Sequence, residues 1–293
     1  RTGLRVSRLG YGVMRLPTDE SGRVDMDAAG RVLRDAYDTG INFFDTHHYY
    51  HDGDSERAIG EALGDVVDRI VIQTKCNFYQ PESPGDRYRD RLERALRRVK
   101  RDTIDVLLAH SIRQESWAAH GEAFLQFARQ ARADGLIRFI GFSSHAPVDF
   151  VTERIDSGDF DVMLVPYNLV ERRSAPCLAR ARAKGLATAI MNPVGGGRLA
   201  PPNPELNGLV GRPVASTVEL ALRFAFANDD IDVVLSGMTK SEWVRQNVAV
   251  AEAGQYLSAE DESRLTSMLK EKESLAQLYC TGCGYCLPCP HGV

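Results

Sequence analysis

The stretch that decides the fold is NFFDTHHYYHDGDSERAIGEALGDVVDRIVIQTK, residues 42–75. It begins with a short apolar run, NFFDT (42–46), and ends with a second one, RIVIQTK (69–75). A longer segment of helical period lies between the two runs. Two β-rich runs joined by a helix are the parts of a β-α-β unit, so this stretch predicts two parallel strands of one sheet.

The same alternation continues along the whole chain, and eight runs have the composition of buried strands. These runs are LGYGVMRL (9–16), NFFDT (42–46), RIVIQTK (69–75), DVLLAHS (105–111), FIGFSS (139–144), VMLVPY (162–167), ATAIMNP (187–193) and VVLSGM (233–238). Their nearly continuous hydrophobicity is typical of parallel strands covered on both faces. Eight such runs alternating with helices predict an α/β protein of the (β/α)8 TIM-barrel class. A doubly wound sheet is the alternative, and it is disfavoured because no strand leads into a GxGxxG turn.

The helices between these strands have recognisable ends. Asp25 is placed to cap a helix whose apolar face begins at Met26, and Gly40 is placed to end it. Segments 171–185, 216–228 and 241–253 have a similar pattern.

Two segments fall outside the eightfold pattern. TGLRVSRLG (2–10) predicts an N-terminal hairpin that closes the floor of the barrel, and residues 258–279 predict an extra amphipathic helix. We therefore expect a barrel domain over residues 1–257 and a C-terminal helix with a cysteine-rich tail over residues 258–293.

Composition excludes several classes of function. The 293 residues are 43% hydrophobic and 26% charged, with a formal net charge of −4. The absence of a long basic block argues against a nucleic-acid partner. The apolar runs are shorter than the ~18 residues of a membrane span. The cysteines lack the dispersed spacing of a secreted disulfide framework, so we expect a cytoplasmic protein.

Ionisable side chains stand where three consecutive predicted strands end. Asp45 closes the second strand, Lys75 the third and His110 the fourth, and tyrosines follow Asp45 in the chain. The carboxyl ends of barrel strands meet at one face, so these side chains are expected to face one another. The alternative is that each is a structural ion pair or a satisfied core residue.

This combination of residue types favours a proton-donating site. A tyrosine is a poor acid near neutral pH, and a neighbouring ammonium group lowers its pKa. A carboxylate keeps that ammonium charged and in place, and a histidine can orient a carbonyl. Such a group could protonate a carbonyl oxygen while hydride arrives at carbon, or perform the reverse reaction.

The chain resembles the aldo-keto reductase family in a series of motifs that occur in the family's order. They are FDTHHYYHDGDSERAIGEAL, VIQTK, DVLLAH, IGFSSH, PYNL, MNPVGGGRL and SGM followed by QN, which together span about residues 3–254. The resemblance implies a catalytic tetrad of Asp45, Tyr50, Lys75 and His110. Tyr50 is the implied general acid, because its offset of five residues from Asp45 selects it over Tyr49.

The resemblance also implies a nicotinamide cofactor, NADPH or NADH, bound without a Rossmann fold. The cofactor-binding positions that it implies are Ser143 and Ser144 for the nicotinamide amide, Gly195, Gly196, Gly197 and Arg198 for the pyrophosphate, Gly237 near the adenosine, and Asn247 for the adenine. Glycine amides can approach a phosphate closely, which gives a physical reason for that loop.

The sequence departs from the family pattern at several of these positions. Leu164 stands where a glutamine often lies under the nicotinamide. Gly237 and Trp243 stand where Lys and Arg often surround the 2′-phosphate, a role that Lys240 or Arg245 could take instead.

The loop around Tyr50 is a further departure. It carries His47, His48 and His51 where small residues and a glycine are usual. These imidazoles are interpreted as the lining of a pocket for a substrate with hydroxyls or a carboxylate, with a zinc site as the alternative.

The C-terminal cysteines form a separate motif. Cys280, Cys283, Cys286 and Cys289 have a spacing close to that of ferredoxin clusters, and a proline follows the last one. The spacing predicts a [4Fe–4S] cluster, with zinc or plain thiols as the alternatives. It resembles the ferredoxin-like extension of one branch of the family. In ferredoxins the cysteine before the proline often binds a different cluster, so Cys280, Cys283 and Cys286 are favoured over Cys289 as ligands of one cluster.

Together these observations predict an NAD(P)-dependent oxidoreductase that acts on an aldehyde, ketone, sugar-like carbonyl or alcohol. The alternative is a redox-sensing or partner-docking protein on a reductase barrel. In that alternative the iron–sulfur tail would contact an electron-transfer protein. A cluster passes single electrons whereas a nicotinamide gives a hydride, so a direct part of the tail in hydride transfer is disfavoured.

Overall fold

The eight predicted strands close into a single parallel barrel. The computed structural model describes residues 2–77, 86–254 and 256–271. Each strand pairs with the next one in sequence, and the eighth pairs with the first. The strands are β1 (Leu9–Gly12), β2 (Phe43–Asp45), β3 (Val71–Asn77), β4 (Ile104–His110), β5 (Ile137–Ser143), β6 (Val162–Pro166), β7 (Ala187–Met191) and β8 (Val233–Ser236). The (β/α)8 prediction is confirmed.

Helices follow the strands and surround the barrel. Those in the described part of the chain are α1 (Met26–Asp38), α2 (Asp54–Ala62), α3 (Asp86–Val99), α4 (Gln114–Ala133), α5 (Val148–Asp156), α6 (Ala175–Lys184), α7 (Pro204–Asn207), α8 (Thr217–Ala227), α9 (Ser241–Glu252) and α10 (Ala259–Glu271). Asp25 caps α1 as predicted, because its side chain accepts a hydrogen bond from the amide of Ala28. Gly40 follows this helix with a φ of 97°, a value that favours glycine.

The core has two parts, as the pattern of buried strands requires. One part fills the inside of the barrel with side chains such as Val106, Leu108, Val162 and Leu235. The other lies between the strands and the surrounding helices. Since both faces of the strands are largely covered, the strands are mostly apolar. Polar residues stand at their carboxyl ends and also near some amino ends, as at Asp105 in β4 and Arg138 in β5.

The predicted N-terminal hairpin is wrong. Residues 2–7 have no strand, although Leu4 and Val6 do pack against the interior core and so cover the floor of the barrel. Asn42 takes the place of a strand partner. Its side chain accepts from the amide of Ser7 at 2.7 Å and donates to the carbonyl of Arg5 at 3.0 Å. These side-chain hydrogen bonds pair backbone groups of the short N-terminal segment that a β-ladder would otherwise pair.

Helix α10 packs against the barrel. Leu265 is fully buried in the outer core, and Arg172, in the loop before α6, donates to the hydroxyl of Thr266 at 2.6 Å. Asp261 accepts from the amide of Gly211 at 2.8 Å. The division at residue 257 stays a prediction, since most of the predicted second part lies outside the described residues.

Candidate active site

The ionisable side chains singled out from the sequence meet at the carboxyl end of the barrel. Asp45 is the last residue of β2 and His110 the last residue of β4, and Lys75 lies two residues before the end of β3. The strand register places Asp45 beside Gln73 and His110 beside Asn77. Adjacent parallel strands therefore bring these side chains together from positions far apart in sequence.

Lys75 and Asp45 form a buried ion pair. The Lys75 Nζ lies 2.7 Å from Asp45 Oδ2, and the two side chains are 2% and 7% exposed. Nζ also donates to the carbonyl of Thr46 at 2.8 Å. Because a buried ammonium group is costly without partners, this double contact keeps the charge of Lys75 in place.

Gln73 belongs to this group and was not predicted from the sequence. Its Nε2 donates to Asp45 Oδ1 at 2.7 Å, so both oxygens of the Asp45 carboxylate are engaged. Gln73 precedes Lys75 by two residues, and strand side chains alternate between faces. That spacing was the signal that could have identified it.

The loop that carries Tyr50 is closed by hydrogen bonds at its base. The hydroxyls of Thr46 and Ser55 lie 2.6 Å apart, and Ser55 also donates to the carbonyl of Val13 at 2.9 Å. His51, Asp52 and Gly53 follow Tyr50 with φ values of 52°, 53° and 93°. Positive φ is uncommon for residues other than glycine, so the loop holds a strained turn next to the ion pair.

Within this loop, Tyr50 rather than Tyr49 adjoins Lys75. The Lys75 Nζ lies 4.9 Å from the centroid of the Tyr50 ring. Tyr49 is 43% exposed. The ammonium group of Lys75 is thus next to the phenol that the five-residue offset selected.

His110 is buried close to this ion pair. Burial is the main cause that lowers its pKa well below 6.5, and the charge of Lys75 adds to the effect. The imidazole is therefore neutral at physiological pH, a form that can donate one hydrogen bond to a carbonyl oxygen.

The three loop histidines differ in burial and in hydrogen-bond partners, although the ring centroids of His47 and His48 are only 4.3 Å apart. His47 is 1% exposed, with its ring centroid 4.2 Å from that of His110 and 5.3 Å from that of Tyr50. His48 is partly buried, and burial lowers its pKa to about 4. His51 contacts Met14 instead, and its Nε2 lies 3.1 Å from the carbonyl oxygen of that residue.

The zinc alternative gains no support from this arrangement. Among the residues that the structure describes, no three His, Cys, Asp or Glu side chains are arranged to hold a metal ion. The loop histidines do not converge on one point.

The serines expected near the nicotinamide lie at the end of β5 and are buried. Ser143 Oγ accepts from the amide of Ser111 at 2.8 Å, and Ser144 Oγ donates to the carbonyl of Ile112 at 2.8 Å. Both hydroxyls therefore also join β5 to the loop after β4.

Asn168, just after β6, was not assigned to the cofactor from the sequence. It is fully buried, and its Oδ1 accepts from the amides of Val170 and Glu171. Its Nδ2 has no partner among the described residues. A buried donor of this kind can donate a hydrogen bond to the carboxamide oxygen of a nicotinamide. Leu164, at the position where a glutamine is usual, is buried in the barrel interior.

The glycine run after β7 forms a tight 3₁₀ turn. Gly195, Gly196 and Gly197 have φ values of 61°, 69° and 103°, which explains the residue type. The amides of Gly195 and Gly197 already donate within the turn. Arg198, whose Nε lies 3.1 Å from the carbonyl of Gly195, gives this turn its positive charge.

Gly237 and Asn247 adjoin the end of β8. A Cβ at Gly237 would lie 2.9 Å from the side chain of Arg15, so close packing also demands a glycine there. Asn247 donates to the hydroxyl of Ser236 at 3.2 Å.

The two basic residues of α9 and its N-cap differ in their partners. The Lys240 Nζ lies 5.2 Å from the centroid of the partly exposed Trp243 ring. Arg245 lies 3.7 Å from a carboxylate oxygen of Asp35 in α1.

The predicted iron–sulfur ligands Cys280, Cys283, Cys286 and Cys289 lie outside the described residues. The other two cysteines, Cys76 and Cys177, are buried and free. In the part of the chain that is described, no helix is long and apolar enough to span a membrane.

Comparisons with known proteins agree with this geometry. A model of the Aldo/keto reductase family matches residues 8–270. L-galactose dehydrogenase of Arabidopsis thaliana is 30% identical over an alignment of 287 positions, which covers 89% of this chain and 89% of that protein. The 6-dehydroglucose reductase of Novosphingobium aromaticivorans is 29% identical over 69% of each chain.

Solved structures show the same fold. The holo form of an aldo-keto reductase from Bacillus halodurans superposes with a TM-score of 0.76 and 26% identity. The match covers 90% of this chain and 93% of that chain. The sequence match and the structural match thus cover the same barrel.

Proposed function

Because this chain belongs to the aldo/keto reductase family, we propose that it transfers a hydride between a nicotinamide cofactor and a carbonyl or alcohol substrate, with Tyr50 as general acid. In the reducing direction Tyr50 gives its phenolic proton to the carbonyl oxygen, and in the oxidising direction the phenolate takes it back.

The observation that carries this proposal is the position of Lys75. Its ammonium group is buried, bonded to Asp45 and Thr46, and lies against the ring of Tyr50. A positive charge beside a phenol favours the phenolate and makes the proton easier to release. Asp45 holds the ammonium group and Gln73 holds the Asp45 carboxylate, so both are positioning residues for Tyr50.

His110 orients the carbonyl in this proposal. Its neutral imidazole can donate one hydrogen bond to the oxygen that Tyr50 protonates. A neutral donor suits that position, since a second cation beside Lys75 would be repelled.

The residues near the strand ends fit a nicotinamide cofactor. Its nicotinamide ring would supply or accept the hydride. Asn168 Nδ2, Ser143 and Ser144 would bind its carboxamide, and Arg198 would meet its pyrophosphate. Support comes from the unpartnered, buried Nδ2 of Asn168, which otherwise lacks a hydrogen bond.

The choice between NADPH and NADH depends on the start of α9. Arg245 already pairs with Asp35, whereas Lys240 lies over Trp243 at the surface. We propose that Lys240 meets the 2′-phosphate and that NADPH is preferred. A lower KM for NADH than for NADPH would contradict this assignment.

The substrate class is supported by two relatives whose names refer to sugars, L-galactose dehydrogenase and 6-dehydroglucose reductase. We propose a sugar-like aldehyde, ketone or alcohol. The alternative function, a partner-docking or redox-sensing protein, draws no support from the described residues.

The iron–sulfur cluster is proposed from sequence spacing alone. Four thiolates within ten residues, followed by a proline, are a donor set that suits a cubane. Protein purified without oxygen should then contain iron and sulfide, and its absorption spectrum should show a broad band in the visible range. Colourless protein with bound zinc would contradict the cluster.

The decisive experiment compares Tyr50→Phe with Tyr49→Phe. Loss of a general acid costs about 100-fold or more in turnover. We expect Tyr50→Phe to lose turnover to this extent and to keep its dissociation constant for the cofactor, measured by fluorescence titration. Tyr49→Phe is the matched control and is expected to keep turnover. Equal turnover in the two variants would sink the assignment of Tyr50.

A further inference from the structure

His47 is a buried polar residue of the site, and the proposed proton transfer does not use it. Its ring adjoins the rings of His110 at 4.2 Å and Tyr50 at 5.3 Å, and its side chain is 1% exposed. The amide of Tyr50 also donates to the carbonyl of His47 at 3.0 Å, so the two residues share one turn.

Neither ring nitrogen of His47 has a hydrogen-bond partner among the described residues. A buried polar atom without a hydrogen-bond partner destabilises the folded protein, and a phenylalanine would fill the same space without that cost. His48 and His51 differ, since each has a ring nitrogen near a backbone carbonyl, that of Lys75 and that of Met14. The cost at His47 would be offset if the substrate supplied the missing partner.

The chemistry of a neutral imidazole limits what that partner can be. It offers one donor and one acceptor, and a hydroxyl group offers the same pair. Burial, followed by the nearby His110, His48 and Lys75, lowers the pKa of His47 well below 6.5. A carboxylate only accepts hydrogen bonds and is best held by a cation. It would therefore bond to the donor nitrogen of the imidazole and leave the acceptor nitrogen without a partner.

We propose that His47 binds a hydroxyl group on the carbon next to the reacting carbonyl, which selects neutral hydroxyaldehydes and hydroxyketones, open-chain sugars among them, over unsubstituted or carboxylated carbonyls. This rests on the proposed function, because the place of the carbonyl is set by Tyr50 and His110. Oxygens on adjacent carbons lie side by side, and the His47 ring adjoins both residues that serve the first oxygen. His47 is thus a specificity-determining residue.

The test compares two aldehydes that differ by one hydroxyl group, lactaldehyde and propionaldehyde. The quantity measured is the ratio of their kcat/KM values. His47→Phe keeps the ring and removes both nitrogens, whereas His47→Gln keeps one donor and one acceptor. His51→Asn is the matched control, since asparagine tolerates the positive φ at that position.

We expect the parent to prefer lactaldehyde, and His47→Phe to lower that preference about tenfold or more, because a lost hydrogen bond of about 1.4 kcal/mol corresponds to tenfold. Most of the change should fall on the kcat/KM for lactaldehyde, because propionaldehyde has no hydroxyl group for His47 to bind. His47→Gln should keep much of the preference, and His51→Asn all of it. If the Phe variant does not fold, as judged by circular dichroism, His47→Leu takes its place.

The outcomes separate this proposal from the proposed function. Turnover of both aldehydes with the same ratio in parent and His47→Phe overturns the role of His47 and leaves that of Tyr50 intact. A parent that prefers propionaldehyde also overturns the role of His47. A parent that reduces neither aldehyde overturns both proposals.

Discussion

Lys75 illustrates how one residue depends on its neighbours in the fold. Its charge is enclosed in the barrel mouth, where water cannot solvate it, and Asp45 and the Thr46 carbonyl replace that solvation. In such a pair the loss of one partner leaves the other charge buried and unpaired. The contribution of Asp45 is therefore best measured by removing its charge alone.

Asp45→Asn is expected to lower the free energy of unfolding by about 3 kcal/mol and to lower kcat as well, because the Lys75 charge loses its main support. Urea denaturation measures the first effect. The control is Asp159→Asn, which breaks the more exposed pair with Arg129 at 2.7 Å and should cost less than about 1 kcal/mol. Equal losses in the two variants would contradict the importance of the buried pair.

At the scale of elements, the loop between β2 and α2 holds Tyr50 through a close contact with α3. Glu56 in α2 is fully buried and accepts from Thr74 at 2.9 Å and from Arg98 at 3.1 Å. A Cβ at Gly53 would lie 2.2 Å from the guanidinium group of Arg98. The turn after Tyr50 is therefore packed against a buried ion pair.

Gly53→Ala tests this contact. An alanine held at a positive φ lowers the free energy of unfolding by about 1–2 kcal/mol. The added Cβ also displaces Arg98 from Glu56, which costs a further hydrogen bond. Gly158→Ala is the matched control, because Gly158 has a φ of 77° with nothing within 4 Å of an added Cβ. We expect Gly53→Ala to destabilise more, as measured by urea denaturation, and to lower kcat/KM. Equal destabilisation would show that Arg98 moves aside without cost.

For the whole molecule, the histidines at the barrel mouth link folding to pH. Burial is the first cause that lowers the pKa of each of them, namely His47, His48, His110 and His145, with His48 and His145 at about 4. Below pH 6.5 the unfolded chain binds protons that the folded chain does not bind. Stability is therefore lost as the pH falls from 6.5 towards 4.

The free energy of unfolding should be lower at about pH 5.5 than at about pH 7.5, by up to about 1 kcal/mol for each such histidine. Urea denaturation at the two pH values measures the difference. His48→Gln removes one titrating group and should narrow the difference by up to about 1 kcal/mol. An unchanged difference in this variant would contradict the linkage.

Sequence alone determined the fold class, the eight strands and the candidate tetrad, because the apolar period of each strand and the order of the motifs are local properties of the chain. It also selected Tyr50 by its offset from Asp45. Contacts across the barrel are not local, so no sequence pattern indicated that Asn42 replaces a hairpin or that Asn168 has an unpartnered amide. The spacing of Gln73 and Lys75 placed both side chains on one face of β3, but only the fold showed that Gln73 supports Asp45. Only the tertiary structure separated the three loop histidines, because the strained turn after Tyr50 sends His51 towards Met14 and leaves His47 buried beside His110.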